Sequence, residues 1–180
     1  MNRFDLAAFS ATARAIAESD ADSVRGLASL LRSTIADPAG LRDGLPPVDR
    51  DEILLFESQR LTAYHIRLPE AIHYPPHEHR MRVLIGVYDG AETNCFYRRA
   101  EGAIIDPAAT RVFRAGGVEV LPVDAIHSVA NGGPGPSMAV HFYLGNLGAQ
   151  ARSLWSHRLD DEAPFDVERY FREARPYRKA

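Results

Sequence analysis

Between residues 52 and 145 the chain is a series of short β-prone runs cut apart by glycine and proline, and this pattern narrows its fold most. The runs are EILLFE, LTAYHIRL, MRVLIGVY, NCFYRR, GVEVLP, IHSVAN and MAVHFYLG, separated by YPP, DG, GG and NGGPGP. β-Branched and aromatic residues suit a half-buried pleated surface, and glycine and proline end it. Many short strands at even spacing predict a sandwich or a barrel.

The flanks read as helix. Leu6, Phe9, Ala13 and Ile16 recur at helical spacing, as do Val24, Leu27, Leu31 and Ile35, with Asp22 placed as an N-cap. The spacing predicts helices over 3–18 and 23–36. DPAGLRDGLPPVDRD, Asp37 to Asp51, reads as a loop by its prolines and glycines. The tail FDVERYFREARPY returns to helix, with Phe165, Val167 and Tyr170 or Phe171 as its buried side. A chain of 180 residues suits one structural domain: a helical segment and loop (1–51), a barrel (52–148) and a C-terminal extension (149–180).

Composition removes several function classes. A net charge of −3 carries no nucleic-acid signal. Cys95 is the single cysteine, so no internal disulfide can form, which fits a reducing compartment. Asp5, Arg14 and Glu18 interrupt the N-terminal stretch, which therefore reads as neither a secretory signal nor a membrane span. The expectation is a cytoplasmic protein, monomer or homodimer, with no nucleic-acid or membrane partner.

Chemistry concentrates in YPPHEHRMRVLIGVYDG, Tyr74 to Gly90. On a strand His77 and His79 point the same way, roughly 6.5–7 Å apart along the chain, close enough to converge on one metal. Glu78 points to the opposite face, which makes it a solvated or salt-bridged carboxylate rather than a ligand.

Further along, Gly116, Pro122, Asp124, His127 and Asn131 are spaced as G-x5-P-x-D-x2-H-x3-N. This resembles the second motif of the cupin superfamily, in which a turn glycine stands where Asp124 does; aspartate tolerates the left-handed turn conformation. The first cupin motif, G-x5-H-x-H-x3,4-E-x6-G, is matched at His77, His79 and Gly90. Ala71 replaces its first glycine, and Val83 or Leu84 falls where its glutamate belongs. The resemblance implies a mainly β protein: a cupin double-stranded β-helix, or jelly-roll barrel, with N-terminal helices and a short C-terminal helix. It also implies a metal held by His77, His79 and His127 without a carboxylate.

Within the superfamily, that ligand set resembles the thiol dioxygenases, of which cysteine dioxygenase is the best known. That family carries a Ser-x-His-x-Tyr run whose tyrosine hydroxyl points at the bound substrate. Here His141 and Tyr143 match its last two members and Ala139 takes the serine position. Leu84 replaces the cysteine that animal members crosslink to the tyrosine, so no crosslink is expected. The family also holds the substrate carboxylate with an arginine from an upstream strand. Arg60, sharing strand parity with Tyr64, and Arg50 in the preceding loop are the candidates, with Tyr64 beside them in the pocket.

The resemblance therefore implies a mononuclear iron(II) dioxygenase, with another divalent transition metal as the alternative ion. It would add both atoms of O2 to a small thiol such as cysteine, 3-mercaptopropionate, another mercapto acid or cysteamine. Tyr143 would position substrate or dioxygen and His141 would orient Tyr143. Two other functions stay open: a different metal-dependent cupin dioxygenase, such as a diketone-cleaving enzyme, and a non-catalytic ligand-binding cupin. A buried arginine in the pocket favours a carboxylated thiol, and an all-apolar wall favours a diketone.

Overall fold

The computed structural model describes residues 4–19, 22–47, 50–102 and 104–178. Two helices come first, α1 (Leu6–Glu18) and α2 (Ser23–Ile35). The Asp5 side chain caps α1 by accepting from the Ala7 and Ala8 amides, and Asp22 caps α2 by accepting from the Arg25 amide. Arg3, the expected start of the first helix, lies outside the described residues.

The segment from Asp37 to Asp51, read as loop, contains a third helix, α3 (Pro38–Gly44). Asp37 caps it by accepting from the Gly40 amide. Proline in a first helical turn loses no hydrogen bond, because those amides lack intrahelical partners. The signals taken for a loop instead start and stop a short helix.

Ten strands follow: β1 (Glu52–Glu57), β2 (Thr62–Leu68), β3 (Ile72–His73), β4 (His77–Glu78), β5 (Val83–Asp89), β6 (Ala91–Arg99), β7 (Ile105–Arg114), β8 (Val118–Leu121), β9 (Ile126–Asn131) and β10 (Ser137–Tyr143). One sheet runs β1-β2-β10-β5-β8. In the other, β3 and β4 lie along one side of β9 as two pieces of one strand, and β6 then β7 lie along its other side. With β2 as the first barrel strand, the sheets interleave as first–eighth–third–sixth and second–seventh–fourth–fifth. A long antiparallel hairpin folded over on itself gives this order, which is the jelly roll expected.

β7 is not among the runs read from the sequence, because Pro107 interrupts its β pattern. Pro107 stands opposite Tyr97, where the register of β6 shifts, and among the described residues β7 pairs with β6 alone. A proline at an irregularity on an edge strand removes no ladder bond that the sheet needs.

Gly90 (φ 66°) and Gly116 (φ 85°), the glycines that match the two motifs, have left-handed backbones. Ala71 adopts φ 55° where the first motif has glycine, so the conformation persists without the residue that favours it. Asp124 is not among the described residues with positive φ, which corrects the expectation of a left-handed turn there. The Ala125 amide closes a turn onto the Pro122 carbonyl at 3.2 Å. A turn of type I geometry needs no positive φ at its third position.

The helices cover the outer face of the first sheet. Phe9, Leu27, Leu31 and Ile35 pack there with Leu84 and Phe142. Leu84 thus faces the helices, while Val83 belongs to the cluster inside the barrel with Ile85 and Tyr143.

The C-terminal extension consists of β11 (Ser153–Trp155), β12 (Glu162–Pro164), α4 (Val167–Arg172) and β13 (Arg175–Pro176). β11 pairs with β4 through Leu154 and His77, and β13 pairs with β3. The chain is thereby drawn across one end of the barrel. Phe165, Tyr170 and Phe171 are half-buried there and Val167 is exposed, so they are not a buried helix face. They face a cavity that opens into the barrel. No helix among the described residues is long and apolar enough to cross a membrane.

Candidate metal centre

Strand pairing assembles the three histidines. His77 on β4 stands directly opposite His127 on β9, and His79 follows just past the end of β4. All three are buried, and one ring nitrogen from each lies within 4.8 Å of the others.

Their outer nitrogens are arranged for ligation. His77 Nδ1 lies 3.1 Å from the Pro75 carbonyl and His127 Nδ1 lies 2.8 Å from Asn94 Oδ1. Each Nδ1–H therefore has an acceptor, and each Nε2 is left as a lone pair facing inward. His79 Nε2 and His127 Nε2 are 3.1 Å apart. Two nitrogens at about 2.1 Å from one octahedral ion, in adjacent positions, would stand about 3.0 Å apart. His79 Nδ1 is buried with no hydrogen-bond partner among the described residues. Burial holds His77 down to about 3, with the Pro75 hydrogen bond pulling the other way. Burial also holds His79 and His127 well below the ordinary imidazole range, and the neighbouring imidazoles add to the effect. Neutral imidazoles with converging lone pairs are what a divalent transition metal binds, so the residues fit the ion.

No carboxylate among the described residues joins this group. Val83, inside the barrel, stands in register with Tyr143 on β10. Glu78 faces outward, buried rather than solvated: its carboxylate pairs with Arg80 Nε at 2.6 Å and with Arg99 Nη2 at 3.2 Å.

The histidines line a cavity of about 270 Å³. Tyr64, His141 and Tyr143 line it too, and His141 is paired with Tyr64 across β10 and β2. The Tyr143 ring lies 5.0 Å from that of His79 and its hydroxyl lies 3.3 Å from His141 Nδ1. Burial pushes the Tyr143 hydroxyl well above the ordinary phenol range, so it stays protonated.

Neither arginine chosen from the sequence reaches the cavity. Arg60 is exposed in the turn between β1 and β2, where its amide lies 3.4 Å from Ser58 Oγ. The strand begins only at Thr62, so the alternation that linked Arg60 to Tyr64 does not extend back through the turn. Arg50 is exposed in the loop before β1.

Arg152, which the sequence reading missed, takes the place they leave. It lies just before β11 and lines the cavity, with its guanidinium 3.3 Å from the Phe165 ring centroid. No carboxylate among the described residues stands within 4 Å of it, and burial lowers its affinity for the proton. Glu52 on β1 faces the same cavity. Burial raises its carboxyl above the ordinary range, and Arg152 pulls it down. The only sequence signal for Arg152 was its place shortly after the last barrel strand. Cys95 lies on β6 between the inward-facing Asn94 and Phe96 and meets Thr110 Oγ1 at 3.7 Å, on the side away from Tyr143.

No family model matches the chain, and no curated protein does. Solved structures do match. One is DMSP lyase DddQ from Ruegeria pomeroyi, at 22% identity and TM-score 0.44, covering 56% of this chain and 49% of the lyase. Another is an RmlC-like cupin family protein with a double-stranded β-helix fold from Methanocaldococcus jannaschii, at 14% identity and TM-score 0.45, covering 58% of this chain and 90% of that one. A third is BH2720 from Bacillus halodurans, at 12% identity and TM-score 0.50, covering 62% of this chain and 77% of that one. The match spans about half the length of the lyase. Likeness at these identities concerns the fold. The strand order by itself is that of a double-stranded β-helix, and inside it stands a three-histidine group that fits a metal ion.

Proposed function

We propose that the protein is a mononuclear iron(II) dioxygenase of the cysteine dioxygenase type, converting a small thiol and O2 into a sulfinate. The balance is RSH + O2 → RSO2⁻ + H⁺, with sulfur oxidised and both oxygen atoms retained. Iron held by His77, His79 and His127 would supply open positions and the electrons that make dioxygen reactive.

The observation that carries this reading is Arg152. A guanidinium with no carboxylate within 4 Å among the described residues, lining a cavity beside three neutral imidazoles, is a ready partner for a substrate carboxylate, to which it can donate two hydrogen bonds. An all-apolar wall would have favoured a diketone instead. Glu52 beside it offers a carboxyl to an ammonium group, so cysteine, which carries both charges, suits the cavity better than 3-mercaptopropionate or cysteamine. Tyr143 and Tyr64 place hydroxyls in the same space, with rings 6.0 Å apart edge to face. Phe165, Tyr170 and Phe171 line the same cavity, and their rings would help to keep water from the reacting sulfur.

The test is oxygen consumption by the iron-loaded protein on a panel of cysteine, 3-mercaptopropionate, cysteamine and a β-diketone. The proposal expects cysteine to drive uptake with the highest kcat/KM. Uptake with the diketone alone would replace it with a carbon–carbon-cleaving reading. No uptake by a fully loaded protein would favour a binding role.

A further inference from the structure

We infer that Glu92 is a positioning residue that sets the direction of the hydrogen-bond chain ending at Tyr143. The inference rests on the reading of Tyr143 as a substrate contact. Its structural part does not depend on which substrate is used.

Glu92 lies on β6, inside the barrel, and is 0% exposed. Its Oε1 is 3.5 Å from His141 Nε2, and its Oε2 is buried with no hydrogen-bond partner among the described residues. A buried carboxyl with an unsatisfied oxygen is costly, so its presence in the barrel interior calls for an explanation. Ala139, one inward position before His141 on β10, offers no polar side-chain atom. The polar contact to His141 Nε2 therefore comes from the opposite sheet.

In this inference Glu92 acts as a carboxylate, which only accepts hydrogen bonds. Its contact with His141 would then place the His141 proton on Nε2 and leave Nδ1 as a lone pair. Nδ1 faces the Tyr143 hydroxyl at 3.3 Å, so the hydroxyl donates to His141. The phenol oxygen then turns its own lone pairs toward the cavity, beside His79. Tyr143 thus meets the substrate as an acceptor. It is suited to a thiol S–H or an ammonium N–H, and not to a group that needs a donor.

The chain can be read directly in the metal-free protein. Histidine labelled with ¹⁵N, with the His141 signals identified by their loss in His141→Gln, reports its tautomer through long-range proton–nitrogen couplings. At neutral pH the expected result is a proton on Nε2 in the wild type and a mixture of tautomers in Glu92→Ala. Should Glu92→Ala fail to fold, Glu92→Gln keeps the volume and introduces a donor, and it should raise the share of the Nδ1–H form. A wild-type proton on Nδ1, an imidazolium, or a tautomer unchanged in every folded Glu92 variant overturns the inference. None of these outcomes depends on turnover, so they are separable from failure of the dioxygenase reading. In the active enzyme, Glu92→Ala should lower kcat about tenfold with Tyr143 present and have no further effect in a Tyr143→Phe background. An equal loss in both backgrounds would mark Glu92 as merely structural.

Discussion

Replacing Arg152 by alanine tests the substrate site with a worked magnitude. The guanidinium lines the cavity, has no carboxylate within 4 Å among the described residues, and is stacked on Phe165 at 3.3 Å. A substrate carboxylate bound there would lose its guanidinium partner. Truncating one side of a buried charge pair costs about 2–4 kcal/mol, much of it the penalty on the charge left behind. At about 1.4 kcal/mol per decade, that is roughly a thirtyfold to thousandfold fall in kcat/KM for cysteine. The loss should appear mainly in KM, because the carboxylate is bound equally in the ground and transition states. Cysteamine, which lacks the carboxylate, should be turned over with nearly unchanged kcat/KM. Arg152→Lys should recover part of the loss, since it keeps the charge but not the planar fork. Folding stability should change little, because the stack on Phe165 contributes about 0.5–2 kcal/mol and burial of an unpaired cation opposes it. Oxygen uptake against concentration for both thiols, with a thermal melt of each variant, decides the matter. Equal losses for cysteine and cysteamine, together with a lowered melting temperature, would refute the reasoning and make Arg152 a tether for the C-terminal segment.

Metal content follows from the three-histidine group: His127→Ala should strip most of the bound iron measured by elemental analysis, and wild-type content in that variant would contradict the site. Tyr143→Phe should keep the iron and lose about tenfold to a hundredfold in kcat, equivalent to roughly 1.4–2.8 kcal/mol of transition-state stabilisation; an unchanged rate would remove the hydroxyl from the mechanism. Burial lowers His65, whose Nε2 lies 2.7 Å from the Tyr88 hydroxyl, to about 4, so the folded metal-free protein resists a proton that the unfolded chain accepts. Its contribution is intact above about pH 6.5, falls as pH drops toward 4 and amounts to roughly 3 kcal/mol, so the urea midpoint should fall across that window and less steeply in His65→Gln. The same slope in both proteins would refute it.

Strand chemistry made the barrel and its histidines legible, because ligands on strands must recur at fixed intervals. His77 and His79 share a face by alternation, and His127 comes opposite His77 once β4 and β9 pair. Arg152 was hidden for the opposite reason. Its position depends on how the C-terminal extension folds back: β11 joins β4, and the Phe165 amide bonds to the Arg152 carbonyl at 2.8 Å. No local periodicity encodes that return. Arg60 failed because parity was carried through a turn, where alternation has no meaning. The helix at Pro38–Gly44 was obscured because proline and glycine mark helix ends as well as loops. Glu92 was passed over because nothing near it in sequence announces a partner; His141 reaches it only across the barrel interior.

The measurement closest to the central claim is the isotopic composition of the product. Iron-loaded protein given cysteine under ¹⁸O2 should release a sulfinate with both oxygens labelled, and the label should be lost with the iron in His127→Ala. A sulfinate labelled once or not at all, or no sulfur oxidation by fully loaded protein, would contradict the assignment of this three-histidine cavity to thiol dioxygenation.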